Sequence, residues 1–199
     1  MNDIFTKIIE YFLLNETESY FPETFNKNTL SYKLYIISSF SYLFLAIFQL
    51  TIFKNTIPAL TNILFIQSIC LIIQSIFTYY ADVINIGKKS NWHIFDRLIA
   101  IINIIFIFSN IIWLPNIDII IYMTSILSGL ILIKKSRFVR KKKDFRSFIF
   151  YHSLWHIWFP MSLFLWLLYN KIDNEKYKSI VLFIIFISNF YIIGNHGIS

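Results

Sequence analysis

Cysteine, glycine, proline and charged side chains are all scarce in this 199-residue sequence. It contains one cysteine, four glycines and four prolines, and only 15% of its residues are charged. Cys70 alone can form neither an intramolecular disulfide nor a thiolate zinc site, so both are excluded. Because the sequence has no Gly/Ser-rich linker, no low-complexity tract and no repeat, we predict a single domain in the apolar part of the chain.

Apolar residues make up most of what remains. The sequence is 57% hydrophobic and 20% aromatic, which is more than a soluble domain of this length usually carries. This composition predicts an all-α fold, a polytopic transmembrane helical bundle. The net charge of +7 lies on short segments between apolar runs and therefore does not indicate nucleic-acid binding.

Six apolar runs predict membrane-spanning helices, each of which needs about 20 residues to cross a bilayer. The runs cover residues 34–53, 57–80, 92–113, 117–133, 148–169 and 180–193. Pro115 predicts a turn between the third and fourth runs, and Pro160 predicts a kink in the fifth.

The N-terminal residues 1–32 have a different pattern. Their apolar side chains recur at helical spacing, and no signal-peptide cleavage site follows them, which predicts an amphipathic interfacial segment. Residues 33–199 then form a single transmembrane domain. A seventh span arises only if the N-terminal segment enters the bilayer.

Basic residues are concentrated on one side of this predicted topology, above all in residues 134–147. Loops that stay in the cytosol carry the excess of Lys and Arg, so we predict that this loop and both termini are cytosolic. The run RFVRKKKDFR either reflects this rule alone or also binds the headgroups of anionic phospholipids.

Two histidines stand four residues apart in the fifth run, within FIFYHSLWHIWFP. On a helix, His152 and His156 lie on the same face, about 6 Å apart along the axis. Ionisable groups at membrane depth are costly unless they are paired or bound. A metal ion would satisfy both imidazoles; alternatively, both rings lie at the membrane interface and form hydrogen bonds with neighbouring groups.

Other polar residues fall in the same predicted layer. The second run ends with Thr78 and Asp82, the third begins with His93 and Asp96, and His196 follows the sixth. Each has a simpler interpretation: Thr78 can bond its own helix, His93 can lie at the interface beside Trp92, and Asp96 can pair with a nearby cation.

The order of these residues resembles the CREST superfamily, which includes alkaline ceramidases, adiponectin-receptor-like proteins, lipid hydrolases that trim GPI-anchored proteins, and myomaker-like proteins. In this family, a hydroxyl residue precedes a zinc ligand by four positions, an aspartate follows early in the next span, and HxxxH begins a late span. Thr78 with Asp82, then Asp96, then His152 with His156 match this pattern, over residues 78–160. The family has histidine where this chain has Asp82, and it places HxxxH in the last of seven spans.

The resemblance implies a zinc-dependent integral membrane hydrolase that cleaves an amide or ester bond of a ceramide- or phospholipid-like substrate near the cytosolic face, in an endomembrane of the ER or Golgi. His152, His156 and Asp82 would bind Zn²⁺, with His93 as the alternative third ligand, while Asp96 and Thr78 would be catalytic.

Two further interpretations remain open. One is a non-catalytic receptor-like or scaffold protein of the same fold. The other is a small transporter or channel subunit, indicated by polar residues within the second and third runs. These are Gln67, Ser68, Gln74, Asn103, Ser109 and Asn110.

Overall fold

The computed structural model describes residues 28–52, 58–86, 88, 90–113 and 119–196. These residues form helices and no strand, which confirms the predicted all-α class. The helices are α1 (Leu30–Ser38), α2 (Ser41–Ile52), α3 (Pro58–Thr78), α4 (Trp92–Trp113), α5 (Ile119–Lys141), α6 (Phe145–Lys171) and α7 (Glu175–His196), and a π-helical segment, Tyr79–Ile84, continues α3. Residues 1–27 of the predicted interfacial segment, which was expected over residues 1–32, lie outside the described residues, as does the predicted turn at Pro115.

Among the described residues, five helical segments are long and apolar enough to cross a membrane. They are Leu30–Thr51, Asn62–Ile84, Trp92–Ser109, Ile119–Lys141 and Glu175–His196. Each overlaps one of the predicted spans, so a helical bundle of membrane type is supported. The remaining predicted span corresponds to α6, a helix of 27 residues whose apolar content is reduced by its histidine, serine and proline residues.

Several helix ends differ from the predicted boundaries. The fourth run was expected to end at residue 133, but α5 continues to Lys141, which shortens the basic loop predicted over residues 134–147. Because lysine and arginine are good helix formers, the helix continues beyond the end of the apolar run. Similarly, α7 extends beyond the predicted residues 180–193 at both ends.

The first predicted span is divided into two helices at the sequence SSFS. The Ser38 and Ser39 hydroxyls donate to the carbonyl of Tyr35, at 2.7 and 3.5 Å. Serine hydroxyls compete in this way with the backbone N–H groups of a regular helix. The carbonyl of Ser39 accepts from the hydroxyl of Ser75 on α3, at 2.9 Å, and this bond joins the break between α1 and α2 to α3.

Helix α6 lies at the centre of the packing and contacts α1, α2, α5 and α7, while α3 packs between α2 and α4. One apolar cluster joins α2, α3 and α6, with Tyr42, Leu45, Leu64, Leu71 and Leu163 among its buried members. A second joins α5, α6 and α7 around Trp166. These contacts fix the rotation of α3 and α6 about their axes, and therefore the direction in which their polar side chains point.

Candidate metal centre

Three potential ligand atoms converge where the π-helical segment meets α6. Asp82 Oδ2 lies 2.8 Å from His152 Nε2 and 3.1 Å from His156 Nε2, and the two Nε2 atoms are 2.9 Å apart. The His156 side chain is 1% exposed, and those of His152 and Asp82 are each 14% exposed. The three residues form a group that can hold a metal ion.

The π-helical geometry of Tyr79–Ile84 determines where Asp82 is presented. Its wide turn is closed by the Asn85 N–H, which donates to the carbonyl of Tyr80, five residues earlier. Single π turns are rare in proteins, and those that occur often lie at functional sites. Here, Asp82 faces the histidines of α6, while Thr78, at the end of the regular helix, bonds to α4.

Hydrogen bonds alone cannot account for all three contacts within the cluster. Each Nε2 atom carries at most one proton, and an ionised carboxylate carries none. At most two of the three contacts can therefore be hydrogen bonds, and the third brings two polar atoms together without a proton between them. A cation would let all three atoms act as lone-pair donors.

The spacing of the three atoms is close to that around a bound metal ion but slightly shorter. Atoms about 2.0–2.2 Å from a tetrahedral zinc ion lie about 3.3–3.6 Å apart, and the observed separations of 2.8–3.1 Å are a few tenths of an ångström shorter. Slight outward movement of the three side chains would admit an ion. The donor set, two imidazoles and one carboxylate, is one that zinc uses.

Aromatic side chains enclose both imidazoles. Trp155 stacks on His156 with ring centroids 3.7 Å apart, and Tyr42 meets the same ring edge-on at 5.7 Å. Tyr35 and Phe148 lie 5.3 and 5.0 Å from the His152 ring. These rings restrict the orientation of the imidazoles and keep the environment apolar, where an interaction with a cation is stronger than in water.

The carbonyl of His156 has an unusual partner. In a regular helix it would accept from the N–H of residue 160, but that residue is Pro160, which has none. The Ser41 hydroxyl, at the start of α2, lies 2.5 Å from this carbonyl and 2.7 Å from the carbonyl of Ser38, and its single proton is donated to the nearer, that of His156. Proline and serine thus jointly position the turn of α6 that carries His156, although they are far apart in sequence.

Asp96 lies outside the three-atom cluster and has its own partners. Its Oδ1 atom accepts from the Thr78 hydroxyl at 2.5 Å and from Gln74 Nε2 at 2.6 Å. The two residues predicted to be catalytic, Thr78 and Asp96, are therefore in contact. The Thr78 hydroxyl donates to Asp96 and accepts from Gln74 Nε2 of its own helix at 3.1 Å.

The two other histidines occupy different positions. His93 Nε2 lies 3.1 Å from the carbonyl of Lys88, outside the metal-type cluster, so Asp82 and not His93 completes that cluster. His196 packs edge-on against Tyr151, with ring centroids 5.3 Å apart. His196 is therefore near the site without joining it.

Sequence reasoning did not identify Ser41, Gln74, Tyr35 or Trp155 as site residues. Gln74 was noted only as one of several polar residues in the second run, and no local pattern marks Ser41, which acts across 115 positions. For Trp155 a signal existed, because it stands directly before His156 in the sequence.

Comparison of the chain with protein-family models, with curated proteins and with solved structures finds no match. The function must therefore be inferred from the site itself.

Proposed function

We propose that this protein is a zinc-dependent integral membrane hydrolase that cleaves an amide or ester bond of a membrane lipid near the cytosolic face. The observation that carries the proposal is the convergence of Asp82, His152 and His156, together with a further, half-buried carboxylate, Asp96, that is not part of the cluster. A structural zinc site has four protein ligands, whereas three leave one position for a reactant.

Zinc bound there would supply Lewis-acid activation of a water molecule near neutral pH. In this proposal Asp96 accepts the proton that the reaction releases, and the hydrogen bonds from Thr78 and Gln74 to its Oδ1 atom orient the carboxylate. Once Asp96 is protonated, it no longer needs the Thr78 hydroxyl as a donor. Thr78 can then donate to the oxygen of the carbonyl under attack.

The substrate class follows from the location of the site. Asp82 lies near one end of Asn62–Ile84, which is long and apolar enough to cross a bilayer, so we place the cluster at the depth of the amide or ester of a ceramide- or phospholipid-like molecule. A soluble substrate would not require a site enclosed by aromatic rings within such a bundle.

We propose six membrane spans, one of which, α6, is less apolar than membrane-spanning helices usually are. Its 27 residues extend about 40 Å, enough to cross the hydrocarbon core. Because α6 packs against α1, α2, α5 and α7, it has less need of a lipid-facing apolar surface. Six spans place both termini on one side, which we assign to the cytosol, in an ER or Golgi membrane.

The test is the release of fatty acid from a panel of ceramides and phospholipids by the purified full-length protein. General-base assistance is worth about 10²- to 10⁴-fold, so Asp96→Asn should reduce turnover by that order while the protein retains its zinc. The double variant His152→Ala/His156→Ala should lose both zinc and activity. Equal release by all three proteins would show contamination and would favour the non-catalytic scaffold or receptor-like interpretation.

A further inference from the structure

Phe148 connects the candidate metal centre to a guanidinium group. Its ring centroid lies 5.0 Å from that of His152 and 5.8 Å from Cζ of Arg140. The Arg140 guanidinium is therefore at most about 11 Å from the His152 ring. Because an aromatic face attracts a cation placed over it, the Phe148 ring holds the guanidinium beside the site.

The turn between α5 and α6 determines this arrangement. The Asp144 N–H donates to the Val139 carbonyl at 3.1 Å. The Lys143 N–H donates to the Arg140 carbonyl at 2.9 Å, which completes the hydrogen-bond pattern of a Schellman motif. Lys143 has the left-handed conformation that this motif requires, with φ of 59°. Because the chain reverses within so few residues, the last turn of α5 lies against the first turns of α6, which carry Phe148.

The candidate metal centre is more accessible on the side of His152 than on the side of His156. The side chains of His152 and Asp82 are each 14% exposed, whereas that of His156 is 1% exposed. A reactant therefore reaches the site more readily past His152. Arg140, which is partly exposed, lies on the same side, because Phe148 contacts the His152 ring.

The basic end of α5 suits a phosphate group. Further exposed cations follow Arg140 closely in the chain, and these are Lys141, Lys142, Lys143 and Arg146. Together they create a positive potential that attracts anions. A guanidinium has five N–H donors in a planar fork, which matches two phosphate oxygens and can serve more than one partner.

The distance between Arg140 and the metal centre also suits one lipid molecule. In a glycerophospholipid, the same glycerol unit carries the phosphate and the ester carbonyls. The interfacial layer that holds these groups is about 5–8 Å thick on each side of a bilayer. A phosphate bound at Arg140 therefore leaves an ester carbonyl within reach of the His152 side of the site.

We infer that Arg140 binds the phosphate of a glycerophospholipid whose ester carbonyl reaches the metal centre. The inference rests on the proposed hydrolase function and narrows its substrate class, because ceramide and diacylglycerol carry no phosphate. Arg140 is thus a substrate-binding residue that selects a phosphate-bearing lipid, and Phe148 positions its guanidinium.

The test compares phosphatidylglycerol with diacylglycerol, which has the same ester bonds and no phosphate. Native mass spectrometry measures the binding of each lipid to the purified full-length protein in detergent. The wild-type protein should bind phosphatidylglycerol about tenfold more tightly, and Arg140→Gln should remove this preference, because a hydrogen bond to a charged group is worth at least that factor. Arg140→Lys keeps the charge without the planar fork and should recover only part of the preference.

Lys142→Gln is the matched control. It removes the same charge two residues away, from a side chain whose Nζ lies 4.3 Å from the Phe138 ring centroid, so it should keep the preference. Equal losses in Lys142→Gln and Arg140→Gln would overturn the inference, because charge alone would then attract the lipid. Displacement of the lipid by millimolar inorganic phosphate would also overturn it, because the site would then bind free phosphate.

The double variant His152→Ala/His156→Ala separates this inference from the proposed function. Without these two ligands the protein should still prefer phosphatidylglycerol. That result would support the role of Arg140 even if the wild-type protein released no fatty acid from any lipid. Release of fatty acid from ceramide but not from phosphatidylglycerol would leave the hydrolase proposal standing and would overturn the assignment of Arg140.

Discussion

Asp82 gives the cluster a negative charge that a third histidine would not provide. With two neutral imidazoles and one carboxylate, a bound divalent cation leaves the site with a net charge of about +1 instead of +2. A smaller net charge is less costly to bury among aromatic side chains such as Tyr35 and Trp155. The carboxylate therefore suits the enclosed position in which the structure places it.

At the scale of single residues, zinc retention is the most direct prediction. We expect about one zinc per chain in the purified protein, measured by mass spectrometry, and its loss in His152→Ala, in His156→Ala and in Asp82→Ala. A site left with two of its three protein ligands should not retain the ion through purification.

The remaining histidines supply matched controls. His93 contacts the carbonyl of Lys88, and His196 packs against Tyr151, so His93→Ala and His196→Ala should keep the zinc. Stoichiometric zinc in the double variant His152→Ala/His156→Ala would contradict the site, as would loss of zinc in His93→Ala.

At the scale of helices, the contact between α2 and α6 compensates for a proline. Ser41→Ala should leave the His156 carbonyl without a donor, which costs about 1–3 kcal/mol for a buried acceptor. In a Pro160→Ala background, the N–H of residue 160 returns and the same serine substitution should cost less. Thermal unfolding of the four proteins of this cycle measures the coupling.

The control for this cycle is Ser179→Ala. Its hydroxyl also donates to a backbone carbonyl, that of Glu175 at 2.9 Å, but at an exposed position, so its removal should change stability little. If Ser41→Ala is equally costly with and without Pro160, the serine does not replace the missing N–H.

The sequence predicted the ends of some helices and missed those of others. α4 occupies Trp92–Trp113, the same residues as the predicted third span, because its apolar run has distinct ends. The end of α5 was missed because basic residues continue a helix that hydropathy alone would stop. The break between α1 and α2 was also missed. It depends on hydrogen bonds from serine hydroxyls to backbone carbonyls, which a hydropathy pattern does not show.

The site was predicted only where its residues follow a local pattern. The i, i+4 spacing predicted that His152 and His156 share a helix face, and the predicted topology put Asp82 in the same layer. The choice of Asp82 as third ligand came from the family resemblance, with His93 as the alternative. The contacts of Ser41 with α6 and of Gln74 with Asp96 depend on how distant segments pack, which periodicity does not determine.

At the scale of the whole molecule, the site links several helix ends. Asp82 at the end of α3 contacts His152 and His156 near the start of α6. The same region includes Tyr35 of α1, which packs on His152. With the basic turn between α5 and α6 nearby, we predict that this end of the bundle faces the cytosol.

Site-directed labelling can test this orientation, because Cys70 is the only cysteine. In a Cys70→Ser background, Lys142→Cys places a thiol in the turn between α5 and α6, and Asp173→Cys places one in the turn between α6 and α7. A membrane-impermeant maleimide added to sealed vesicles with the cytosolic face outward should label the first variant at once. The second should be labelled only after permeabilisation, because α6 crosses the bilayer between them. Immediate labelling of both would show that α6 does not span the membrane, and the reverse pattern would place the candidate metal centre on the opposite face.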